Sequence, residues 1–440
     1  MSHQALLFRG NILHFPEATI TPDYDFQWLK DGALIVQDNK IVALGEYDDL
    51  VTQYPLAKVH DHSGRWILPG FIDNHLHYPQ TEIIGKFGEQ LLTWLENFTF
   101  PTERQFDQQE KAEKIAHVFT RQLLKNGTTT GLVFSSVHKS AADTLFAHTD
   151  ALNMQMVIGK VCMDTNCPEY LQDTPQSAQQ DSAQLIQKWH GKNRNFYALT
   201  PRFSPTSTSA QLAALGELAV QYPDVFIQTH LSENKEEIAW VKSLYPDCDD
   251  YLATYEKYNL VRKRSVFGHC IHLSDDEWQR LSDANATAAF CPTSNLFLGS
   301  GLFDLNKAVE YKVPVAMATD VGGGTSFNLL RTYGEAYKVC QLNHQIFTPL
   351  HGLYTMTQGP AIAYGFEHQI GNLNPDTYAD FIILNPKFDE LSEIRIQQDS
   401  TPQDMLFAMS MLSDDRAIEE TWIAGKLQYS NTKESPDAMA

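Results

Sequence analysis

Two histidines one residue apart, His75-Leu76-His77, close a short apolar run that begins at Phe71. In a β-strand, residues two apart face the same side, so both imidazoles can point at one spot while Leu76 turns the other way. Three more residues of related chemistry close or lie within similar runs: His230 after Ile227-Gln228-Thr229, His269 after Val266-Phe267-Gly268, and Asp320 after Ala316-Met317-Ala318-Thr319. Gathered together, they make an N and O donor set for a divalent cation. Such a set with one open position favours zinc, although iron and manganese also suit imidazole and carboxylate. A cation so held lowers the pKa of a coordinated water from about 15.7 toward about 7, which is the chemistry of hydrolysis at neutral pH. Glu233, three residues past His230, has two readings. It is a proton shuttle if burial lifts its pKa, or a solvated glutamate, followed by Glu236 and Glu237, that is favoured at a helix start.

Residues so far apart in sequence meet only if a regular scaffold delivers them to one place. Between positions 70 and 368, eight β-rich runs (71–76, 128–134, 156–163, 196–203, 225–231, 265–273, 287–293 and 313–320) alternate with amphipathic stretches. The runs are apolar rather than strictly alternating, as strands covered on both faces should be. The stretches 103–125, 234–245 and 275–281 read as helices, the first ending at the C-cap signal Asn126-Gly127. Eight strand-helix units predict a TIM-type (β/α)8 barrel, and no GxGxxG follows a strand to favour a dinucleotide fold. In such a barrel the C-terminal strand ends share one face, which brings strands one, five, six and eight to a common mouth.

The flanks differ. Residues 5–15 and 32–45, the latter turning at Asp38-Asn39, together with 378–384 and 421–429, turning near Gly425, read as antiparallel strands. Neither terminus alone makes a core, so both are expected to join in one small β-sandwich beside the barrel. The predicted division is 1–67 and 375–440 for the sandwich and 68–374 for the barrel, with the polar residues 431–440 left unpacked. Gly322-Gly323-Gly324-Thr325-Ser326 lacks the spacing of a phosphate loop and reads as a flexible turn beside Asp320.

With 440 residues, 43% hydrophobic and 20% charged, the chain has the composition of a folded globular protein. Its 33 Lys and Arg against 54 Asp and Glu give a net charge of −21, which argues against nucleic acid or an anionic membrane as partner. The first twenty residues lack the basic and apolar regions of a signal peptide, and six scattered cysteines without a CxxC pair read as buried thiols, so a cytoplasmic location is expected.

The segments Pro69-Gly70-Phe71-Ile72-Asp73-Asn74-His75-Leu76-His77, His230-Leu231-Ser232-Glu233, His269 and Ala318-Thr319-Asp320 together resemble the amidohydrolase superfamily, in its branch of metal-dependent aminohydrolases. The resemblance spans nearly the whole chain. It implies that His75, His77, His230 and Asp320 bind the metal. Binuclear members add a modified lysine from the fourth strand. The fourth run has none and Lys160 lies in the third, so one metal per chain, zinc by preference, is expected. More narrowly, His77-Tyr78-Pro79-Gln80, Phe100-Pro101-Thr102-Glu103, Thr200-Pro201-Arg202-Phe203, His230-Leu231-Ser232-Glu233-Asn234 and Cys291-Pro292-Thr293-Ser294-Asn295 are similar to segments of the guanine deaminase family. That likeness implies that Gln80 and Arg202 bind the polar edge of guanine, with Phe203 against its ring. Asp320 would be ligand and base, Glu233 the proton shuttle, and His269 a partner of the attacking oxygen, in contact with the metal or not. The loop 88–100, with Trp94, Phe98 and Phe100, offers either more aromatic wall or plain packing against the barrel. The expected activity is hydrolysis of free guanine to xanthine and ammonia by a homodimer. The rivals are an aminohydrolase for another purine, a pyrimidine or a triazine, and a non-catalytic binding protein that kept the barrel.

Overall fold

The computed structural model describes residues 4–17, 25–88, 90–397 and 400–431. Of the tail expected to be unpacked, 432–440 lie outside that range. Four strands come first: β1 (Leu6–His14), β2 (Gln27–Gln37), β3 (Lys40–Glu46) and β4 (Lys58–Pro69). The barrel strands follow: β5 (Phe71–His77), β6 (Thr128–Phe134), β7 (Gln155–Gly159), its two-residue continuation β8 (Val161–Cys162), β9 (Asn195–Pro201), β10 (Phe226–Leu231), β11 (Ser265–His269), β12 (Thr287–Phe290) and β13 (Val315–Met317). Last are β14 (Phe381–Leu384), β15 (Ile418–Ile423) and β16 (Lys426–Ser430).

All eight expected barrel strands form, and they pair in parallel in the order β5-β6-β7-β9-β10-β11-β12-β13. Side chains and turn residues close the seam from β13 back to β5. Asp320 N donates to His75 O at 2.9 Å, Asn74 Nδ2 to Met317 O at 2.8 Å, and Thr319 N to Asp73 Oδ1 at 3.0 Å. The seam therefore lies directly beneath two of the expected ligands. One inward residue from each of seven strands (Ile72, Leu132, Val157, Ala198, Phe226, Val266, Ala289) and Ala318 just past the eighth fill the interior over Tyr364, Phe366 and Ile370. This plug makes the barrel a closed floor below the mouth. Leu76 faces outward into the layer between strands and helices, as the two-residue alternation requires.

The helix expected over 103–125 starts later, at Gln109–Lys125, because Gln108 is extended. Glu103 instead ends a short turn, Phe100–Glu103, and is buried. Both chain termini meet in one seven-stranded sheet, β16-β15-β14-β4-β1-β2-β3, with turns at Asp38-Asn39 and Ala424-Gly425. The sheet curls until its edge strand β3 meets the segment that leads into β14, with Ile41 N bonded to Thr377 O and Ala379 N to Asn39 O. Its inner face thus encloses Phe8, Leu34, Val36, Ile67 and Phe381 in a two-layered core made by one sheet. Strand β4 had no signal in the sequence, because Lys58, His60, Asp61, His62 and Arg65 hide the alternation until Trp66. No described helix is long and apolar enough to cross a membrane.

Candidate active site

The mouth of the barrel is built from strand ends. Strand β5 carries a bulge between Asp73 and Leu76 that contains His75, and the rings of His75 and His77 stand 5.1 Å apart and nearly perpendicular. Both aim Nε2 at the same oxygen, Asp320 Oδ1, at 3.5 and 3.4 Å. From β10, His230 turns Nδ1 onto the carbonyl of Arg202 at 2.6 Å. A carbonyl only accepts, so Nδ1 carries the proton and Nε2 presents a lone pair. That lone pair lies 3.3 Å from His77 Nε2. Burial drives His75 and His230 well below the ordinary imidazole range, helped by the neighbouring rings, and lowers His77 as well. Neutral imidazoles are the form that binds cations.

These residues fit a single divalent cation on three observations. His75, His77 and Asp320 offer ligand atoms within 4.8 Å of one another, and so do His75, His230 and His269. Both ring nitrogens of His75, and Nδ1 of His77, are buried without a hydrogen-bond partner. Buried polar atoms are normally satisfied, so His75 Nε2, orphaned although it faces Asp320 Oδ1 beside His77 Nε2, marks a place for an ion. Cys291 also lies within 4.8 Å of His269 and Asp320, but burial pushes its thiol far up and Sγ donates to Ala289 O at 3.4 Å. It stays a protonated thiol, not a thiolate ligand.

Gly268 leaves room for this arrangement. A Cβ there would stand 2.6 Å from His75 Cε1 and 3.0 Å from Nδ1. Gly268→Ala should therefore tilt His75 away, lowering metal occupancy and kcat/KM by about tenfold or more with the fold retained. Metal analysis beside kinetics checks this, and full occupancy at parental rates would show that the ring has slack.

His269, Ser232 and Asp320 sit at strand ends with φ of 73°, 51° and 51°, a left-handed backbone that non-glycine residues adopt at some cost and that gathers at functional sites. His269 Nδ1 meets Asn295 Oδ1 at 2.8 Å, so Nε2 faces Glu233 Oε2 at 3.3 Å and Asp320 Oδ2 at 3.7 Å. Burial opposes charging His269, but the two carboxylates outweigh it and raise its pKa. Burial likewise disfavours the Asp320 anion, yet the His77 hydrogen bond and surrounding imidazoles hold its carboxyl below the usual range.

Glu233 is not the solvated helix-start residue. It is buried, Ser300 Oγ donates to its Oε1 at 2.9 Å, and burial, opposed by His269, pushes its carboxyl up to about 7. The helix-start role falls to Glu237, whose Oε2 accepts the backbone N–H groups of Glu233 and Asn234 at 3.0 and 3.1 Å and whose Oε1 accepts from Tyr251 at 2.6 Å. This capping box fixes the turn that carries Glu233.

Gln80, Arg202 and Phe203 are buried above the histidines. Gln80 Nε2 donates to Glu103 Oε1 at 3.0 Å, and Arg202 Nη1 to both oxygens of Glu103 at 3.0 and 2.9 Å. Phe203 has its ring centroid 6.5 Å from His230 and shares an apolar cluster with Trp94. Trp94, 2% exposed, packs on Phe98 and Phe297 and so backs that wall from behind. The glycine run is a tightly packed turn, not a flexible one: residues 321–324 are buried, and a Cβ on Gly322 would collide with the Gln80 backbone. Lys160 is buried and pairs with Asp173 at 2.6 Å.

Residues 66–427 match the amidohydrolase family. The chain belongs to that family. It is 47% identical over 431 residues to the guanine deaminase of Escherichia coli (strain K12), covering 97% of this chain and 98% of the relative. The solved structure of E. coli guanine deaminase superposes with a TM-score of 0.95 at 45% identity, covering 97% of this chain and all of the other. Guanine deaminase from C. acetobutylicum, solved with guanine in its active site, superposes at 0.87 with 28% identity over 96% of this chain and all of the other. The amidohydrolase family is metal-dependent, and the His and Asp cluster of this member is a group that can hold the ion.

Two polar residues of this amidohydrolase site escaped the reading of the sequence, Glu103 and Ser300. Glu103 opens the stretch read as a helix over 103–125 and stands in the segment Phe100-Pro101-Thr102-Glu103 without a role of its own, and Ser300, between Gly299 and Gly301, is not singled out. Only the Asn234-to-Glu237 spacing of the capping box was a legible signal for the positioning of Glu233.

Proposed function

We propose that this chain is a guanine deaminase, hydrolysing free guanine to xanthine and ammonia. The observation that carries the reading is 47% identity along essentially the whole of a guanine deaminase. The polar groups Arg202 and Gln80 beside the Glu233, His269 and Asp320 cluster suit a flat base rich in donors and acceptors. His75, His77, His230 and Asp320 would hold one divalent cation, zinc by the preference of an N and O donor set. When bound, the cation supplies a water acidic enough to attack at neutral pH.

The residues then divide the proton traffic. Asp320 Oδ1 faces His75 and His77, which leaves Oδ2, on the His269 side, to take the proton of the attacking water. Glu233, held at about 7, delivers a proton to the ring nitrogen next to C2, so no amide-anion charge builds up as C2 becomes tetrahedral. Ser300 holds Oε1 and leaves Oε2 facing the reaction. His269 Nε2 stabilises charge developing on the attacking oxygen. The proton taken by Asp320 then passes to the exocyclic nitrogen, the C2–N bond breaks to release ammonia, and the C2 hydroxyl gives its proton back to Glu233, leaving the C2 carbonyl of xanthine.

In this reading residues 68–374 form the catalytic barrel, flanked by 1–67 and 375–440. The protein works in the cytoplasm as a homodimer, the commonest closed assembly. The net charge of −21 keeps it from nucleic acid and anionic membranes. Ultraviolet assays should show guanine turnover that a chelator abolishes and added zinc restores. Turnover of another purine, a pyrimidine or a triazine but not guanine would overturn the substrate. Purine binding by the metal-loaded protein without turnover would overturn the activity.

A further inference from the structure

We infer that Glu103 is a positioning residue that sets base selectivity, by fixing Arg202 as the donor and Gln80 as the acceptor on one edge of the pocket. The inference rests on the guanine reading above. Glu103 has no exposed surface, and one of its oxygens, Oε1, takes both Gln80 Nε2 and Arg202 Nη1 at 3.0 Å, while Oε2 takes Arg202 Nη1 at 2.9 Å. Two groups clamped on one oxygen are neighbours, so they present adjacent polar atoms. A carboxylate accepts and does not donate, so the Gln80 amide must turn its nitrogen to Glu103 and its Oε1 away. The amide would otherwise be free to flip and present either end. Arg202 engages Glu103 through a single nitrogen, Nη1, and its fork carries donors on the others.

The resulting edge is donor beside acceptor. Guanine matches it with its lactam, O6 accepting from Arg202 and the adjacent N1–H donating to Gln80. 2,6-Diaminopurine inverts the pattern, with an amino donor where O6 was and a bare N1 where the N–H was. A site built to pair buried polar groups rejects an analogue that leaves them unpaired far more strongly than an apolar pocket rejects a shape. Arg202 also links this edge to the metal-binding histidines, because its backbone carbonyl fixes the His230 tautomer.

The test measures kcat and KM for guanine and the inhibition constant of 2,6-diaminopurine, in the metal-loaded parent, E103Q and E103D. The neutral amide of E103Q can orient either way and frees Gln80 to flip. KM for guanine should rise about tenfold or more, with kcat within about threefold, and 2,6-diaminopurine should bind as well as before or better. E103D keeps the charge with a shorter reach and should shift the same ratio in the same direction by less, so it carries the test if E103Q does not fold. An unchanged ratio of the two constants in the variants, whether or not kcat falls, would overturn the inference and leave Glu103 a structural ion pair. Failure of the parent to deaminate guanine would overturn the underlying reading instead.

Discussion

Glu233→Gln is expected to lower kcat for guanine by about a hundredfold to ten-thousandfold while leaving metal content and KM near parental values. The substitution is nearly isosteric, and the amide it introduces can turn its oxygen to His269 and donate its nitrogen to Ser300 Oγ, so the shape of the mouth is kept. What disappears is a proton that can be given up. Uniform binding is retained and only the transition state suffers, which is the signature of a fall in kcat with KM constant. The pH dependence follows from the same burial. A carboxyl raised from 4.5 to about 7 is protonated below that value and loses its proton as pH rises through it. Parental activity should therefore decline on the alkaline side, and the small residual activity of E233Q should lack that limb. Parental rates in E233Q would remove Glu233 from the proton path, while a fall in metal content would make its role one of supporting the ligands.

Barrel strands could be read from the sequence because both their faces are buried, so the runs of apolar residues stand out against charged helices on either side. The candidate site positions were legible for a related reason. His75, His77, His230, His269 and Asp320 are polar groups in or just after apolar runs, and a polar residue there needs a partner or an ion. The flanking sheet was half legible. Its hairpins announced themselves through Asp38-Asn39 and Gly425, but β4 pairs in parallel with β1 across a long connection and keeps much of its surface wet, so neither a turn nor an alternation marks it. Glu103 was hidden by another cause. Charged residues next to a helix are nearly always solvated, and only the long-range approach of Arg202, 99 residues on, makes this one a buried anchor. Contacts of that span leave no local trace in a single sequence. The burial of Glu233 belongs with it: helix-start glutamate and proton shuttle share one spacing, and only the third dimension separates Glu233 from Glu237.

Asp320→Asn should be the more severe lesion, because it removes two functions with one atom change. The carboxylate gathers His75 and His77 around Oδ1 and turns Oδ2 toward His269. An amide placed there offers one weak oxygen and one N–H₂, and whichever way it turns, a donor faces either the histidine lone pairs or the attacking water. Metal affinity should fall by at least about a hundredfold, and kcat/KM by about ten-thousandfold or more, since the base for the water proton goes with the ligand charge. The fold should survive. The backbone bond from residue 320 to His75 O and the Asp73 to Thr319 stitch do not involve the Asp320 side chain. Titrating the variant with excess zinc separates the two losses. If activity recovers fully once the site is saturated, Asp320 serves the metal alone and another group takes the proton. If occupancy recovers and activity does not, the second oxygen is the base. Parental affinity and parental rates together would show that His75, His77 and His230 suffice to hold the ion and that the proton leaves by a route that bypasses this aspartate.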